Sequence, residues 1–247
     1  MNAKATMVVV ILVILGLGRV GESSGIDGTR RHIQLLEMGE FHGEEVTARS
    51  GEKWLGLYQT DPDSVLLPYR LKIENIYDDL IDFEKGQLTG KRVDVNSPLK
   101  PLFLLKGATM LKEGPVTTVY SAPPDYEKSL EKSSPTNLKL NGTSYVLTVA
   151  SLDGAPGKCR ETAFPPEARL VLGSGDSQQI LYSLDGCGND PVWYLLWAGD
   201  LDQDGKLDLY VNVTQHYNVS EKRLFLSSQA SEGELVREVA EFITSGC

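Results

Sequence analysis

Asp200, Asp202 and Asp204 stand at alternate positions in the stretch GDLDQDGKLD, followed at once by Gly205 and then by Asp208. Carboxylates at the first, third, fifth and ninth places of a loop can all turn inward around one point. A calcium ion takes about six to eight hard oxygen ligands, so a loop of this pattern suits it. Gly205 permits the sharp turn, and the main-chain carbonyl of Lys206, at the seventh place, supplies a further oxygen without using its side chain. Four carboxylates so close together repel one another unless a cation lies among them, and the loop contains no arginine. The residues therefore point to a Ca2+ site in which Asp200, Asp202, Asp204 and Asp208 ligate by side chain and Lys206 by its carbonyl.

The flanks of the loop narrow the reading. WYLLWAG on one side and LDLYVNV on the other have the apolar, β-branched and aromatic character of strands. The twelfth place, where a helix-loop-helix calcium hand carries its bidentate glutamate, is Val211. An EF-hand is thus excluded. AGDLDQDGKLDLYVN resembles instead the calcium loops of the FG-GAP and VCBS type, known from integrin-like β-propeller repeats, and the resemblance covers about twenty residues. It implies a loop joining two strands of one sheet, with the same five residues as ligands. Those families repeat the unit, whereas here it occurs once, so their propeller architecture and adhesive role are not implied.

The elements that must position this loop are mostly strands. EEVTARS, KWLGLYQT, GKRVDVN and KPLFLLKG are short, partly alternating segments bounded by Gly, Pro, Asp or Asn. Asn141-Gly142 between LKL and TSYVLTVA is a strong two-residue hairpin signal. A second hairpin is expected over RLVLGSGDSQQILYSL, turning on Gly173 to Ser177, and a third strand pair from LDLYVNV and RLFLSS around the polar stretch 214–222. Two helices are expected. In Leu71 to Phe83, the residues Leu71, Ile73, Ile76, Leu80 and Ile81 can share a stripe, with Glu74, Asp78 and Asp82 on a wet face; in the tail, Leu235, Val236, Val239, Phe242 and Ile243 have helix-compatible spacing, with an edge strand as the alternative. The expected fold is mainly β, antiparallel sheets of sandwich or meander type with one or two short helices. Residues 1–23 read as a signal peptide, 24–120 as an N-terminal β-rich module, 121–136 as a linker and 137–247 as a C-terminal β module holding the calcium loop.

The leader reading rests on Lys4, the apolar run Met7 to Leu17 and the small and polar residues that follow. That run is shorter than the roughly 20 apolar residues of a membrane span, so the mature form is expected to have none, in the periplasm or secreted. Gly16, Gly18 and Gly21 inside it match a dinucleotide fingerprint, but GESSGIDGTR follows instead of a helix. Cys159, Cys187 and Cys247 then suggest one disulfide with one cysteine over, the pairing open. Lys and Arg total 24 against 34 Asp and Glu, a formal net charge of −10, with no basic cluster. This excludes nucleic acid as a partner.

Other residues carry weaker chemistry. Ser50 and Lys53, and Ser129 and Lys132, fit S-x-x-K without the companion motifs of penicillin-recognising enzymes. His32, His42 and His216 are scattered, with no zinc spacing. His216-Tyr217-Asn218 offers a loop surface for a ligand, Trp193 and Trp197 read as core before they read as a carbohydrate-binding face, and Asn141, Asn212 and Asn218 each begin N-x-[ST]. The expectation for function is an exported calcium-binding protein, the ion mainly structural, acting as a binding or structural module toward a protein or glycan ligand. The competing reading is a hydrolase of envelope or extracellular polymers, marked by a cleft of perturbed carboxyls away from the loop.

Overall fold

The computed structural model describes residues 33–60, 62–122, 128–130, 135–151, 159 and 167–246. The leader and Cys247 lie outside them. In chain order the strands are β1 Gln34–Leu36, β2 Gly39–Phe41, β3 Lys53–Gln59, β4 Ser64–Ile76, β5 Gly90–Val95, β6 Phe103–Lys106, β7 Gly114–Ser121 and β8 Lys128–Ser129. There follow β9 Thr136–Leu140, β10 Thr143–Ser151, β11 Ala168–Ser174, β12 Ser177–Ser183, β13 Val192–Asp200, β14 Asp208–Thr214, β15 Val219–Leu226 and β16 Arg237–Ser245. The sole helical turn among the described residues is a 3-10 turn at Gly43–Glu45.

One sheet runs β1-β6-β3-β4-β7-β13-β14-β15-β16, and β1 comes back beside β16, so the path is nearly closed. The second sheet is a four-stranded antiparallel meander, β12-β11-β10-β9. Local chemistry sets its turns. Leu140 pairs with Thr143 across Asn141-Gly142, whose φ angles of 48° and 84° are the left-handed values that this dipeptide tolerates. Ser174 pairs with Ser177 across Gly175-Asp176, where Gly175 alone takes a positive φ, of 57°.

Two apolar cores follow from the alternation of side chains along the strands. Leu57, Leu66, Phe103, Trp197, Tyr210 and Leu224 fill the inside of the large sheet, with the Phe103 and Tyr210 rings 4.6 Å apart. Leu147, Leu170, Leu172, Trp193, Leu209 and Val211 fill the space between its outer face and the meander. β14 lies between both, and all seven of its residues are buried. Trp193 and Trp197 are both fully covered, so they are core residues.

Both expected helices are strands. Leu71 pairs with Val95 and Ile73 with Val93, so the first half of the supposed helix extends β4 along β5. The residues after Ile76 turn away, because the carboxyls of Asp78 and Asp82 capture backbone N–H groups that a helix would have used. The tail is β16, paired with β15 from Val219↔Ser245 to Leu226↔Arg237, where cross-strand burial overrides a spacing that suits either element. EEVTARS is the 3-10 turn followed by irregular chain. β7, which ends at Ser121, pairs with β13 in the later half of the chain, and the described residues from Ile33 on belong to one compact unit. Cys159 and Cys187 form a disulfide, with Cα atoms 5.4 Å apart. No helix among the described residues is long and apolar enough to cross a membrane.

Candidate metal centre

The aspartate loop connects β13 to β14, the two most deeply covered strands of the large sheet. Gly199 and Asp208 are the last paired residues before the chains part. Leu201 and Leu207, both fully buried, pin the two ends of the excursion to the interior. Within it Gln203 and Gly205 take φ values of 61° and 85°, the second at the place where glycine accepts this conformation without strain.

Oxygen atoms of Asp200, Asp202 and Asp208 converge to within 4.8 Å of one another. Their environments differ. Asp208 is fully buried, and its two oxygens are heavily engaged: Oδ2 accepts from the backbone N–H groups of Leu201 and Asp202 at 2.7 and 3.3 Å. Its Oδ1 accepts from the backbone N–H and the hydroxyl of Ser227 at 2.7 and 2.9 Å. Asp200 accepts from the Gly205 N–H through Oδ2 at 3.0 Å, while its Oδ1 is buried with no donor. Asp202 Oδ2 is likewise buried without a donor. Asp204 stands at the exposed rim, its Oδ1 accepting from the Lys206 N–H and lying 2.9 Å from the Ser227 hydroxyl, whose one proton it shares with Asp208, and it is outside the converging group. Lys206 belongs to the same rim of the loop.

Electrostatics follow from burial. Removal from water pushes the Asp208 carboxyl up to about 8, with the charge of Asp202 adding to it, although the Ser227 and Leu201 donors oppose the rise. Burial also raises Asp200 and Asp202, with their neighbours' charges in the same direction, although the Gly205 N–H on Asp200 and Ser228 on Asp202 oppose the rise. A carboxylate oxygen that is buried without a donor loses its hydration and gains nothing in return. Two such oxygens aimed into one cluster of acids fit a hard divalent cation, which would supply the missing partner and relieve the repulsion.

The second sheet braces the loop. Asn141, at the tip of the β9–β10 hairpin, donates from Nδ2 to the Gly205 carbonyl at 3.0 Å. Tyr145 of β10 is close enough for the charges of Asp204, Asp208 and Asp200 to raise its hydroxyl further than burial alone does. Gln203 reaches across to the Pro115 carbonyl of β7 at 3.3 Å. Neither Asn141 nor Ser227 is suggested by the loop pattern, because both come from segments distant in the chain. The short polar run SSQAS after β15 was the available signal.

A second polar cluster lies at the start of the β4–β5 connection. His42 Nδ1 is 2.6 Å from Asp78 Oδ2, and this bond, with the charges of Asp78 and Glu45, raises the imidazole while it lowers the Asp78 carboxyl. Burial pushes Asp82 up, but donors from Thr89 and Asp78 outweigh it and hold the carboxyl low. Asp78 and Asp82 are therefore buried structural acids, whereas the sequence suggests a solvent-facing stripe. His216 is engaged by Asn189 and Asn218, with the exposed ring of Tyr217 beside it. Of the three N-x-[ST] asparagines, Asn212 is buried and bonded to Thr214. No family model, no curated protein and no solved structure matches this chain.

Proposed function

We propose that this chain is an exported calcium-binding protein in which the ion is a structural brace, and that the braced sheets serve as a binding or structural module. The observation that carries this is the pair of buried, donorless oxygens on Asp200 and Asp202 beside the fully buried Asp208. Calcium is the cation of choice because every candidate ligand is an oxygen and the loop offers several of them on a flexible turn. Free calcium outside cells suffices to fill even a weak site, and binding to the folded state alone stabilises it by mass action. Among the described residues the carboxyls pushed upward are those of the loop itself, which favours the module over the hydrolase.

Calorimetric titration of the chelator-treated protein with calcium tests the reading. One equivalent of calcium should bind, and Asp200→Asn should weaken binding by at least about tenfold, since it removes a charged ligand at the centre of the site. Absence of saturable heat at millimolar calcium would refute the assignment.

A further inference from the structure

Between β4 and β5 the chain leaves the sheet and turns five large apolar side chains to solvent. Tyr77, Leu80, Ile81, Phe83 and Leu88 are 53%, 50%, 49%, 85% and 52% exposed. Single exposed hydrophobic residues are ordinary on any protein surface, but five within one short connection form a patch that asks for a partner. The connection is also firmly built. Asp82 Oδ2 accepts from the N–H groups of Asp78 and Thr89, its Oδ1 accepts from the Thr89 hydroxyl, and the Tyr77 hydroxyl donates to the Asp82 carbonyl at 2.6 Å. Gln87 Oε1 accepts from the N–H groups of Phe83 and Glu84. Such a scaffold holds the apolar side chains outward before any ligand arrives, which lowers the ordering cost of binding.

At the base of the connection is a pocket of about 220 Å³, lined among others by Glu40, His42, Tyr77, Asp79 and Ser245. Small-molecule sites span roughly 300–1,000 Å³, so this pocket suits one inserted side chain better than a free ligand. Its surroundings are acidic. Glu44, Asp79 and Glu84 are exposed and make no ion pair among the described residues. Within the pocket Glu40 is paired with Arg92 at 2.7 Å and Asp78 with His42 at 2.6 Å, which leaves Asp79 as its free acid. An anionic membrane is disfavoured by this rim and by the net charge of −10.

We propose that the 77–88 connection and the pocket at its base dock a protein segment that carries a basic side chain flanked by apolar ones. The basic group enters beside Asp79, and the apolar residues lie on Leu80, Ile81 and Phe83. The site is separate from the aspartate loop and does not depend on the calcium reading.

The test is selection of a phage-displayed library of random dodecapeptides on the full chain, after depletion on an Ile81→Ser/Phe83→Ser double variant. Enriched peptides should combine Lys or Arg with Leu, Ile or Phe. A fluorescent synthetic copy of the strongest should bind the double variant at least about tenfold more weakly, the loss typical of removing apolar anchors. Asp79→Asn, which leaves the apolar patch intact, should weaken binding less and flatten its salt dependence. Binding should be the same in calcium and in chelator, so failure here and failure of the metal site are separable. Both variants alter exposed side chains, and unchanged thermal midpoints should accompany the losses. The proposal is overturned if no peptide is enriched, if enriched peptides are acidic, or if the double variant binds as well as the unaltered chain. It is equally overturned if the patch instead drives sedimentation with phosphatidylcholine vesicles.

Discussion

Asn141 donates a hydrogen bond to the Gly205 carbonyl at 3.0 Å, so the hairpin tip of the small sheet rests on the aspartate loop of the large one. The aspartate loop is thereby a joint between two sheets, and loosening either partner should be felt by the other.

The joint can be probed without disturbing the turn. Asn141→Gly keeps the left-handed backbone (φ 48°) while removing the donor. The expected loss is about 0.5–1.5 kcal/mol in urea denaturation with calcium present, the usual net value of one hydrogen bond. Asn141→Ala should cost more, because alanine resists the backbone conformation as well.

Asp208 gives the chelator-treated protein a distinctive pH dependence. Its folded pKa of about 8 lies above the unfolded value near 3.8, so its contribution to stability is complete below the unfolded value and is lost as pH rises through about 8. The thermal midpoint without calcium should therefore fall as pH rises from about 4 to about 8 and level off above that. Calcium should abolish or reverse that fall, since the ion competes with the proton, and its affinity should rise over the same range.

His42 and Asp78 provide a second titration away from the aspartate loop. Hydrogen bonding to Asp78 raises the imidazole above 6.5, so stability from this group is fully present below the unfolded value and lost as pH rises through the folded one. Asp78 works the opposite way: lowered by the same bond, it stabilises above its unfolded value of about 3.8 and ceases to as pH falls through the folded value. The NMR titration midpoint of the His42 ring should lie above 6.5 and drop in Asp78→Asn. An unchanged midpoint would show that the pair is not formed in solution.

Gly199 precedes the loop at a close backbone crossing. A Cβ there would meet the Thr117 carbonyl oxygen at 2.2 Å and the Trp197 ring at 2.5 Å. Gly199→Ala should destabilise the protein by about 1–3 kcal/mol, the usual cost of overpacking, measurable by denaturation. A neutral result would mean that β7 and β13 separate more easily than their pairing suggests.

The sequence is most legible where structure is local. The Asn141-Gly142 turn, the strands flanking Asp200 to Asp208 and the mainly β character each depend on residues a few places apart. What depends on distant segments is hidden. Leu71 and Ile73 stand at strand spacing while Ile73 and Ile76 stand at helical spacing, and only pairing with Val93 and Val95 decides between the two. Asp78 and Asp82 look like a charged stripe until His42, 36 residues earlier, and Thr89 are brought against them. The aspartate pattern names the loop, while Asn141 and Ser227, which hold it, come from other strands' ends.

The most direct measurement is the thermal midpoint of the protein in excess chelator and in millimolar calcium, alongside Asp202→Asn. Calcium at about a hundred times its Kd adds roughly 2.7 kcal/mol, which for a chain of this size is a rise of about 5–10 °C. The unaltered protein should show that rise and Asp202→Asn should lose it. Equal midpoints with and without calcium would contradict it and leave the aspartates as an acidic turn.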